Sequence, residues 1–521
     1  MRTALLLFLT AFQLFSLSAF GAAPPYPPSA SIQAVVNQIS ADSLRAYIEQ
    51  LSSFHTRHTY SDTASGTVGI GAAMGWVRAK AGSFGTDGRY FELVPYTQSW
   101  GGQPVVRHNV MCHVVGTEND SVRYLIGGHL DSRAANISDV TSLAPGADDN
   151  GSSCAAFLEL LRVLPDSFAH NLDVIWFTGE EEGLYGSAAL ANEMATQQER
   201  VDGMICMDMI GHIALANGAV DSSSVRLYAD GASDQGGTSS PSRQLQRYLR
   251  WVGESYVPDF DMHLIAAADR PGRGSDHLSF SAAGFPALRV IERNEDLAFQ
   301  HNPNDVIGNM SCSYARKVAM VTFGGLLTML QSPARPAPPL LNWENATLLH
   351  GQIPDSVALP QGGHFFLAIR NYYSSDFDSI VDLGTGREFS YTVADQAVIY
   401  GFSISRSNAA GFPSPFSSEI QSFTAEAGPA RDLLPNRINL HAYPNPFNND
   451  VTLSYELPVA GTVHLSVFDI MGRRVADLVS RPFSAGTQRA VWSPQRAASG
   501  IYLVRLDTDH DTITQKILYL R

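Results

Sequence analysis

Three consecutive glutamates, Glu180, Glu181 and Glu182, follow an almost wholly apolar run, LDVIWF (172–177). A run this apolar is typical of a buried strand. Adjacent carboxylates repel each other and resist removal from water, so three of them after a buried strand need compensation. The stretch therefore predicts that positive charge lies close to these glutamates.

Other acidic residues and a histidine occupy equivalent places in the chain. His129 and Asp208 each come just past an apolar run, and Asp148 and Asp149 stand just ahead of a helical pattern. The carboxyl ends of strands in an open α/β sheet form the edge where ligands bind, and Asp, Glu and His are good zinc ligands. Two Zn²⁺ ions balance three ligand carboxylates and one hydroxide, which makes a neutral site tolerable in a crevice of low dielectric.

Strand and helix patterns alternate over residues 33–331. Apolar runs predict strands at 121–131, 172–177, 201–211 and 285–292. Helical patterns lie at 152–164, with Ser152 or Ser153 as the N-cap, and at 185–195 and 314–330. This alternation predicts an α/β fold with a mostly parallel sheet flanked by helices on both faces.

The rest of the chain differs in composition. Residues 1–21 are typical of a secretory signal peptide, and no other stretch is apolar enough to span a bilayer, so we expect no transmembrane segment after signal cleavage. SPARPAPP (332–339) and residues 425–436 are predicted linkers. The predicted domains are the signal peptide at 1–21, an α/β domain at 22–331, and two small all-β immunoglobulin-like sandwiches at 340–425 and 437–521.

Charge and cysteine content exclude some functions. The net charge of −15 argues against nucleic acid or an anionic membrane as the main partner. Four cysteines in 521 residues are too few for a disulfide scaffold, and Cys154 and Cys206 lie in apolar segments where we expect core residues.

Six motifs, in order and at plausible spacings, resemble those of the secreted co-catalytic di-zinc aminopeptidases. They are GGHLDS (127–132), APGADDNGSS (144–153), FTGEEEGLYGS (177–187), MDMIGH (207–212), SDHLSFSAAGFPA (275–287) and HNPND (301–305). The resemblance runs over roughly residues 35–331 and implies a zinc exopeptidase fold that binds two Zn²⁺ ions per chain. It also implies peptide substrates with a free N-terminus and a broad preference for apolar N-terminal residues.

The resemblance also implies the metal ligands. His129 and Asp208 are expected to hold one zinc ion, and Glu181 and His301 the other. Asp149, the second aspartate of the Asp-Asp-Asn run, is expected to bridge the two ions.

Two further residues have implied catalytic roles. Glu180 is the expected general base, which takes a proton from a metal-activated water and passes it to the leaving amine. Asp131 is expected to orient His129. Glu182 falls where the family tolerates other residues and is interpreted as incidental. Gln300 stands where many members have a tyrosine beside the last zinc histidine.

Several alternatives remain open from the sequence. The same fold could act as a glutaminyl cyclase or in a carboxypeptidase-like reaction, or the chain could be a non-catalytic cell-surface binding protein. Ser275, Asp276 and His277 are interpreted as supports of the pocket wall, because the chain contains no G-x-S-x-G motif of a serine hydrolase. His212 and His263 are expected to be ordinary polar residues.

The two C-terminal segments have resemblances of their own. Residues 397–419 resemble the last strands of a fibronectin type III domain, with Trp343 and Tyr400 as expected core aromatics. The tail, with YPNPF, an Asp-x-x-Gly-Arg element and SGIY, is similar to the C-terminal sorting domains of the bacterial type IX secretion route. That similarity implies export through the periplasm, contact with the secretion machinery, and a secreted or cell-surface location.

Overall fold

The computed structural model covers the chain with gaps. It describes residues 14–15, 23–85, 88–118, 122–215, 217–229, 240–265, 269, 273–345, 347–372, 374–393, 398–422, 439–443, 447, 450–457, 461–483, 486–494, 497–508 and 512–520. The chain forms two compact units, Met1–Phe423 and Thr424–Arg521. The predicted signal peptide lies outside the described residues except for Leu14 and Phe15, which pair with a strand at 388–392, and the predicted linker 425–436 lies wholly outside them.

The elements alternate as the sequence predicts. The helices are α1 Ala30–Val36, α2 Ala41–Ser52, α3 Gly69–Gly82, α4 Gly151–Val163, α5 Tyr185–Thr196, α6 Pro241–Gly253, α7 His277–Ala282 and α8 Cys312–Gln331, with 3-10 turns at Glu254–Tyr256 and Ile307–Asn309. The strands of the first unit are β1 Leu14–Phe15, β2 Arg89–Trp100, β3 Gln103–Val114, β4 Arg123–His129, β5 Asn171–Phe177, β6 Val201–Met207, β7 Ser224–Ala229, β8 Asp261–Ile265, β9 Ala287–Glu292, β10 Leu340–Trp343, β11 Leu348–Gln352, β12 Phe365–Asn371, β13 Ser379–Gly384, β14 Glu388–Thr392, β15 Tyr400–Arg406 and β16 Ile420–Gln421. Those of the second unit are β17 Asn439–Tyr443, β18 Val451–Leu457, β19 Gly461–Asp469, β20 Arg474–Phe483, β21 Gly486–Trp492, β22 Gly500–Thr508 and β23 Thr512–Tyr519.

Strands β2 to β9 form one sheet in the order β2-β3-β5-β4-β6-β9-β7-β8. The four central strands, β5-β4-β6-β9, are parallel, and antiparallel pairs join β2 to β3, β3 to β5 and β7 to β9. Tyr124 and Ile126 of β4 pack into one buried cluster and Leu125 into another, because successive side chains of a strand point to opposite faces. The predicted α/β fold with both sheet faces covered is confirmed.

Helix α4 begins slightly earlier than its sequence pattern predicts. Asn150 is the N-cap, so the prediction of Ser152 or Ser153 was wrong. Ser152 lies inside the first turn, and its hydroxyl donates to the carbonyl oxygen of Asp148 at 2.8 Å. All four cysteines are buried and free, as expected of core residues at Cys154 and Cys206.

Strands β10 to β16, with β1 on one edge, form two four-stranded sheets ordered β1-β14-β11-β10 and β13-β12-β15-β16. Trp343 and Tyr400 both belong to the apolar cluster between these sheets. The second unit likewise contains two antiparallel sheets, β17-β18-β21 and β20-β19-β22-β23, around one apolar core. The expected all-β domains are confirmed, while the fibronectin type III resemblance stays a prediction.

Helix α6 packs directly on the β10–β16 sandwich. The Trp251 ring centroid lies 5.7 Å from that of Phe366 and 5.1 Å from that of Phe416. The Tyr248 hydroxyl donates to the Pro413 carbonyl oxygen at 2.6 Å. These aromatic rings belong to the same buried cluster as the helices of the α/β domain, so the sandwich and that domain share a core.

The proline-rich segment 332–339 is hydrogen-bonded both to the α/β domain and to the sandwich. Arg335 donates to the carbonyl oxygen of Asp202, at 2.6 Å, and the carbonyl oxygen of Ala334 accepts from Arg406 of the sandwich, at 3.0 Å. The segment therefore connects two parts of one packed unit rather than serving as a free spacer.

Candidate metal centre

The predicted site residues lie at one edge of the central sheet. His129 is the last residue of β4, Asp208 follows β6, and Glu180 and Glu181 follow β5. Asp149 stands just before α4, and His301 lies in the loop between β9 and α8. Because β5, β4, β6 and β9 are parallel neighbours, their carboxyl ends meet and bring these side chains together.

The five predicted metal ligands form two clusters that share Asp149. Asp149 Oδ1 lies 3.2 Å from His129 Nε2, which is also 3.4 Å from Asp208 Oδ1. Asp149 Oδ2 lies 3.2 Å from His301 Nε2, which is 3.1 Å from Glu181 Oε2. In each cluster the three ligand atoms lie within 4.8 Å of one another. Asp149 thus presents one oxygen to each cluster.

The hydrogen bonding of His129 fixes which ring nitrogen can bind a metal. Its Nδ1 lies 3.0 Å from the backbone carbonyl oxygen of Asp131. A carbonyl oxygen only accepts, so Nδ1 carries a hydrogen, and Nε2, which faces Asp149 and Asp208, is the ring nitrogen left to bind a metal. A neutral imidazole held in this way is the usual form of a zinc ligand.

Asp131 acts on two neighbours at once. Its carboxylate Oδ1 is 3.9 Å from His129 Nδ1, so the carbonyl and not the carboxylate makes the hydrogen bond to the ring. Its other oxygen accepts from the backbone N–H of Glu181 at 3.1 Å. Asp131 therefore links the end of β4 to the glutamate run after β5, and its side chain positions Glu181 more directly than His129.

The negative charges of the centre favour the binding of cations. Burial lowers the pKa of His301, but the hydrogen bonds and charges of Asp149 and Glu181 outweigh this and raise it to about 9. For His129 also, burial is outweighed, by Glu180, Asp149 and Asp208, and its pKa lies well above the usual value. The carboxylates thus draw protons onto both histidines when no metal is bound. A nearly buried set of imidazoles and carboxylates with this charge fits Zn²⁺, which would replace those protons.

Glu180 differs from its neighbour in having no fixed partner. Within the described part of the chain its carboxylate accepts no hydrogen bond, whereas Glu181 Oε2 pairs with Arg133 Nε at 2.8 Å. Burial raises the pKa of Glu180 well above its usual value; the charge of His129 opposes this and that of Glu181 adds to it. A carboxyl group in this state is suited to exchanging protons.

Asn150 and Gly128 hold the elements of the centre in register. The Asn150 side chain donates to the carbonyl oxygen of Met207 at 2.9 Å and accepts from the N–H of Met209 at 3.1 Å, which ties α4 to the end of β6. A Cβ at Gly128 would lie 2.3 Å from the Met207 carbonyl oxygen, so only glycine fits beside His129.

Asp305, which the sequence reasoning did not assign, supports Asp149, the predicted bridging ligand. Its Oδ1 accepts from the N–H of Asp148 at 2.8 Å and its Oδ2 from the N–H of Asp149 at 3.0 Å. Burial raises the pKa of Asp305 to about 8, with the charge of Asp148 adding to the rise, while the two N–H donors favour the anion. The available signal was its place in HNPND, four residues after His301.

The other residues singled out in the sequence have defined places. Glu182 is buried, its Oε1 lies 3.2 Å from His58 Nε2, and burial raises its pKa to about 8, so it is part of the pocket wall. Gln300 Nε2 lies 2.6 Å from Met209 Sδ, and Gln300 lines a small neighbouring cavity rather than the metal pocket. His212 is buried against Phe299, while His263 is half-exposed.

The Ser275–His277 segment lies between two residues of the pocket lining, and its role as a support of the wall stays a prediction. The Ser275 hydroxyl lies 3.2 Å from Cys206 Sγ, not beside a histidine base. Gly274 and Leu278, which flank the segment, line the metal pocket.

Two family models match the chain. The one described as Peptidase family M28 matches residues 109–324, which contain the whole metal centre. The one described as Secretion system C-terminal sorting domain matches residues 441–519. The sorting domain indicates export to the cell surface or to the outside. Among the described residues, no helix has the length and apolarity to cross a membrane.

Similar proteins are known. A probable zinc metalloprotease of Leptosphaeria maculans is 31% identical over 406 residues, covering 72% of this chain and 94% of the relative. Leucine aminopeptidase 1 of Grosmannia clavigera is 29% identical over 317 residues, covering 58% and 72%. Solved structures that match include the LapA aminopeptidase of Legionella pneumophila (20% identity, 61% of this chain, 79% of that chain, TM-score 0.45). A glutaminyl cyclase of Porphyromonas gingivalis also matches (18%, 56%, 98%, TM-score 0.42). The identity to the Leptosphaeria protein over almost its whole length, together with the family model, shows that this chain belongs to Peptidase family M28.

Proposed function

We propose that this exported zinc metallopeptidase is an aminopeptidase with two Zn²⁺ ions per chain. The observation that carries the proposal is the position of Asp149, whose two oxygens each lie 3.2 Å from a different histidine. One carboxylate between two histidine-containing clusters suits a bridged pair of ions better than a single ion. The ligand sets are His129 and Asp208 on one side, and Glu181 and His301 on the other.

The proposed reaction is hydrolysis of the first peptide bond of a peptide. Bound zinc supplies Lewis-acid polarisation of the scissile carbonyl and lowers the pKa of a water molecule. Glu180, whose carboxylate accepts no hydrogen bond from the described residues, takes the proton of the attacking water and later donates it to the leaving amine. Asp131 and Asp305 act as positioning residues, because each accepts from the backbone of a metal ligand.

Preference for a free N-terminus is supported by the name of the Grosmannia relative, a leucine aminopeptidase, and by the motif resemblance. The metal pocket, whose wall is partly polar and partly apolar, has a volume of about 550 Å³. This volume is enough for one or two residues of a peptide.

The test uses the chain without its predicted signal peptide. Release of p-nitroaniline is measured from leucyl-p-nitroanilide and from its N-acetylated form, before and after chelation and after zinc is restored, with metal content measured in parallel. We expect about two zinc ions per chain and activity on the free amine alone, lost on chelation and regained with zinc. Activity on the blocked substrate would point to another hydrolase. Two bound ions without hydrolysis would favour the cyclase or binding alternatives.

The predicted segments 1–21 and 437–521 are proposed to direct export, the latter by contact with the secretion machinery. Deletion of 437–521 should leave the peptidase activity inside the producing cell, whereas deletion of a short surface loop of equal charge should not. Activity outside the cell without the tail would contradict this assignment.

A further inference from the structure

The metal pocket is lined by arginines as well as by metal-binding groups. Arg133, Arg273 and Arg289 contribute to its wall, beside the apolar side chains of Ile137 and Leu278. Wholly apolar substrate residues do not require cationic groups there, and burying such groups is costly. The arginines therefore bear on which substrates the pocket accepts.

Arg289, on β9, is almost fully buried, with 2% of its surface exposed. Its Nη2 lies 2.9 Å from Asp208 Oδ2 and its Nη1 3.4 Å from Asp269 Oδ2. Its Nε is buried and has no hydrogen-bond partner among the described residues. An arginine has five N–H donors, and a buried donor left unpaired costs free energy, so an acceptor from solvent or from a ligand has to complete it.

Arg273 shows the same pattern. Its Nη2 lies 2.9 Å from Glu295 Oε2, and its Nε is likewise buried without a partner in the described part of the chain. The other oxygen of Glu295 is already held by Arg226. One carboxylate therefore serves two guanidinium groups and cannot neutralise both.

The charges around this wall favour an anion. Among the described groups that pair here, Arg226, Arg273 and Arg289 are positive, and Glu295 and Asp269 are negative. Arg133 and Glu180, which also line the pocket, add one charge of each sign. Asp208 also pairs with Arg289, but under the proposed function its charge is committed to a metal ion. One positive charge is then left over at the pocket wall, and guanidinium groups bind carboxylates with strong, charge-assisted hydrogen bonds.

We propose that Arg273 and Arg289 bind a carboxylate of the substrate beside the metal centre. The inference rests on the proposed function, and it replaces the expectation of a broad preference for apolar N-terminal residues. The carboxylate has two sources in a peptide. One is the side chain of an N-terminal glutamate or aspartate, and the other is the C-terminal carboxylate of a dipeptide.

Matched substrates separate charge from shape. Glutamyl- and glutaminyl-p-nitroanilide have nearly the same shape and differ by one charge, and leucyl-p-nitroanilide serves as the apolar reference. Leucylglycine and its C-terminal amide test the second source of the carboxylate. We expect kcat/KM to be about 10- to 100-fold higher for the acid than for its amide in at least one of these pairs.

Three variants locate the effect. Arg273→Gln should bring the acid-to-amide ratio close to one, mainly through KM. Arg289→Lys keeps the charge but loses the planar fork, so it should lower the ratio less; zinc content is measured alongside because Arg289 contacts Asp208. Arg226→Gln removes the same charge outside the pocket lining and leaves Glu295 to pair with Arg273 alone, so it should lower the ratio only in part.

Binding without turnover provides a second readout. In the Glu180→Gln background, calorimetry compares the dissociation constants of a glutamyl and a glutaminyl peptide, each with and without Arg273→Gln. Loss of the preference only when Arg273 is replaced supports the inference. Equal binding of the acid and the amide, or a ratio unchanged by Arg273→Gln, would overturn it.

If leucyl-p-nitroanilide is cleaved and no acid is preferred, only this inference fails. If no aminoacyl substrate is cleaved, the proposed function itself fails.

Discussion

Replacing Asp305 by asparagine tests whether the bridging ligand depends on its support. Asp305 is 4% exposed, and its two oxygens accept from the consecutive N–H groups of Asp148 and Asp149 at 2.8 and 3.0 Å. Asparagine has one acceptor oxygen, so its NH₂ group must face the second N–H. One charge-assisted hydrogen bond is lost, and two buried donors, the backbone N–H and the NH₂ group, face each other without an acceptor.

The loss can be converted into an expected affinity. A hydrogen bond to a charged group contributes about 1.5–3 kcal/mol, and about 1.4 kcal/mol corresponds to a factor of ten. Asp305→Asn should therefore weaken zinc binding by about 10- to 100-fold, in line with the effect of removing partners of metal ligands elsewhere. Competition with a chromophoric chelator measures this affinity, at a pH above about 8, where Asp305 is ionised even without metal.

Asp296→Asn is the matched control in the same loop. Asp296 Oδ1 accepts from the N–H of Ala298 at 3.0 Å, and an asparagine oxygen can take over that bond. The control removes the same charge and should leave zinc affinity within about twofold. Parental zinc affinity in Asp305→Asn, or an equal loss in Asp296→Asn, would refute the view that Asp305 positions the bridging carboxylate.

Three further outcomes are expected. Glu180→Gln should lower kcat by about 10²- to 10⁴-fold while zinc content stays at the parental level; loss of the metal would show that Glu180 is a ligand and not a base. Burial lowers the pKa of His113, but its hydrogen bond to Asp173 at 2.7 Å and the charge of Asp173 raise the pKa overall. The His113–Asp173 pair therefore stabilises the fold fully below about pH 6.5. This stabilisation decreases as pH rises through the pKa of His113 in the folded state. His113→Gln should flatten that slope in urea unfolding at several pH values, and an unchanged slope would contradict the assignment. A chain truncated after Gln331 should aggregate or bind a hydrophobic dye, because the sandwich no longer covers Trp251. A chain truncated after Ser422 should unfold cooperatively. Equal behaviour of the two truncated chains would argue against a shared core.

Much of the α/β domain could be predicted because its signals are local. The apolar runs before His129, Glu180 and Asp208 are strands whose pattern is complete within seven residues each. Their polar ends then indicate the sheet edge at which the ligands meet. The predicted ligand set came from ordered motifs and not from any single residue.

The missed features depend on pairs that are distant in the sequence. Asp305 acts on Asp149 across 156 positions, and nothing around Asp305 marks that partner. Glu182 lies against His58, and Arg289 against Asp208, through tertiary packing alone. The sequence predicted that Asp131 orients His129. In the structure its carbonyl oxygen accepts from the His129 ring, while its carboxylate accepts from the N–H of Glu181, a partner that the sequence does not indicate.

The core shared by α6 and the β10–β16 sandwich limits how this protein can mature and diversify. Proteolytic processing that releases an active enzyme must keep the chain from the end of the predicted signal peptide through Ser422, so a cut in 332–339 would inactivate the enzyme rather than activate it. The sandwich is equally hard to exchange in evolution, since a replacement would have to reproduce the surface that covers Trp251 and Tyr248. The Leptosphaeria relative fits this constraint. Its match covers 72% of the 521 residues of this chain, and a match of that length cannot lie wholly before residue 332. The match therefore extends into the sandwich.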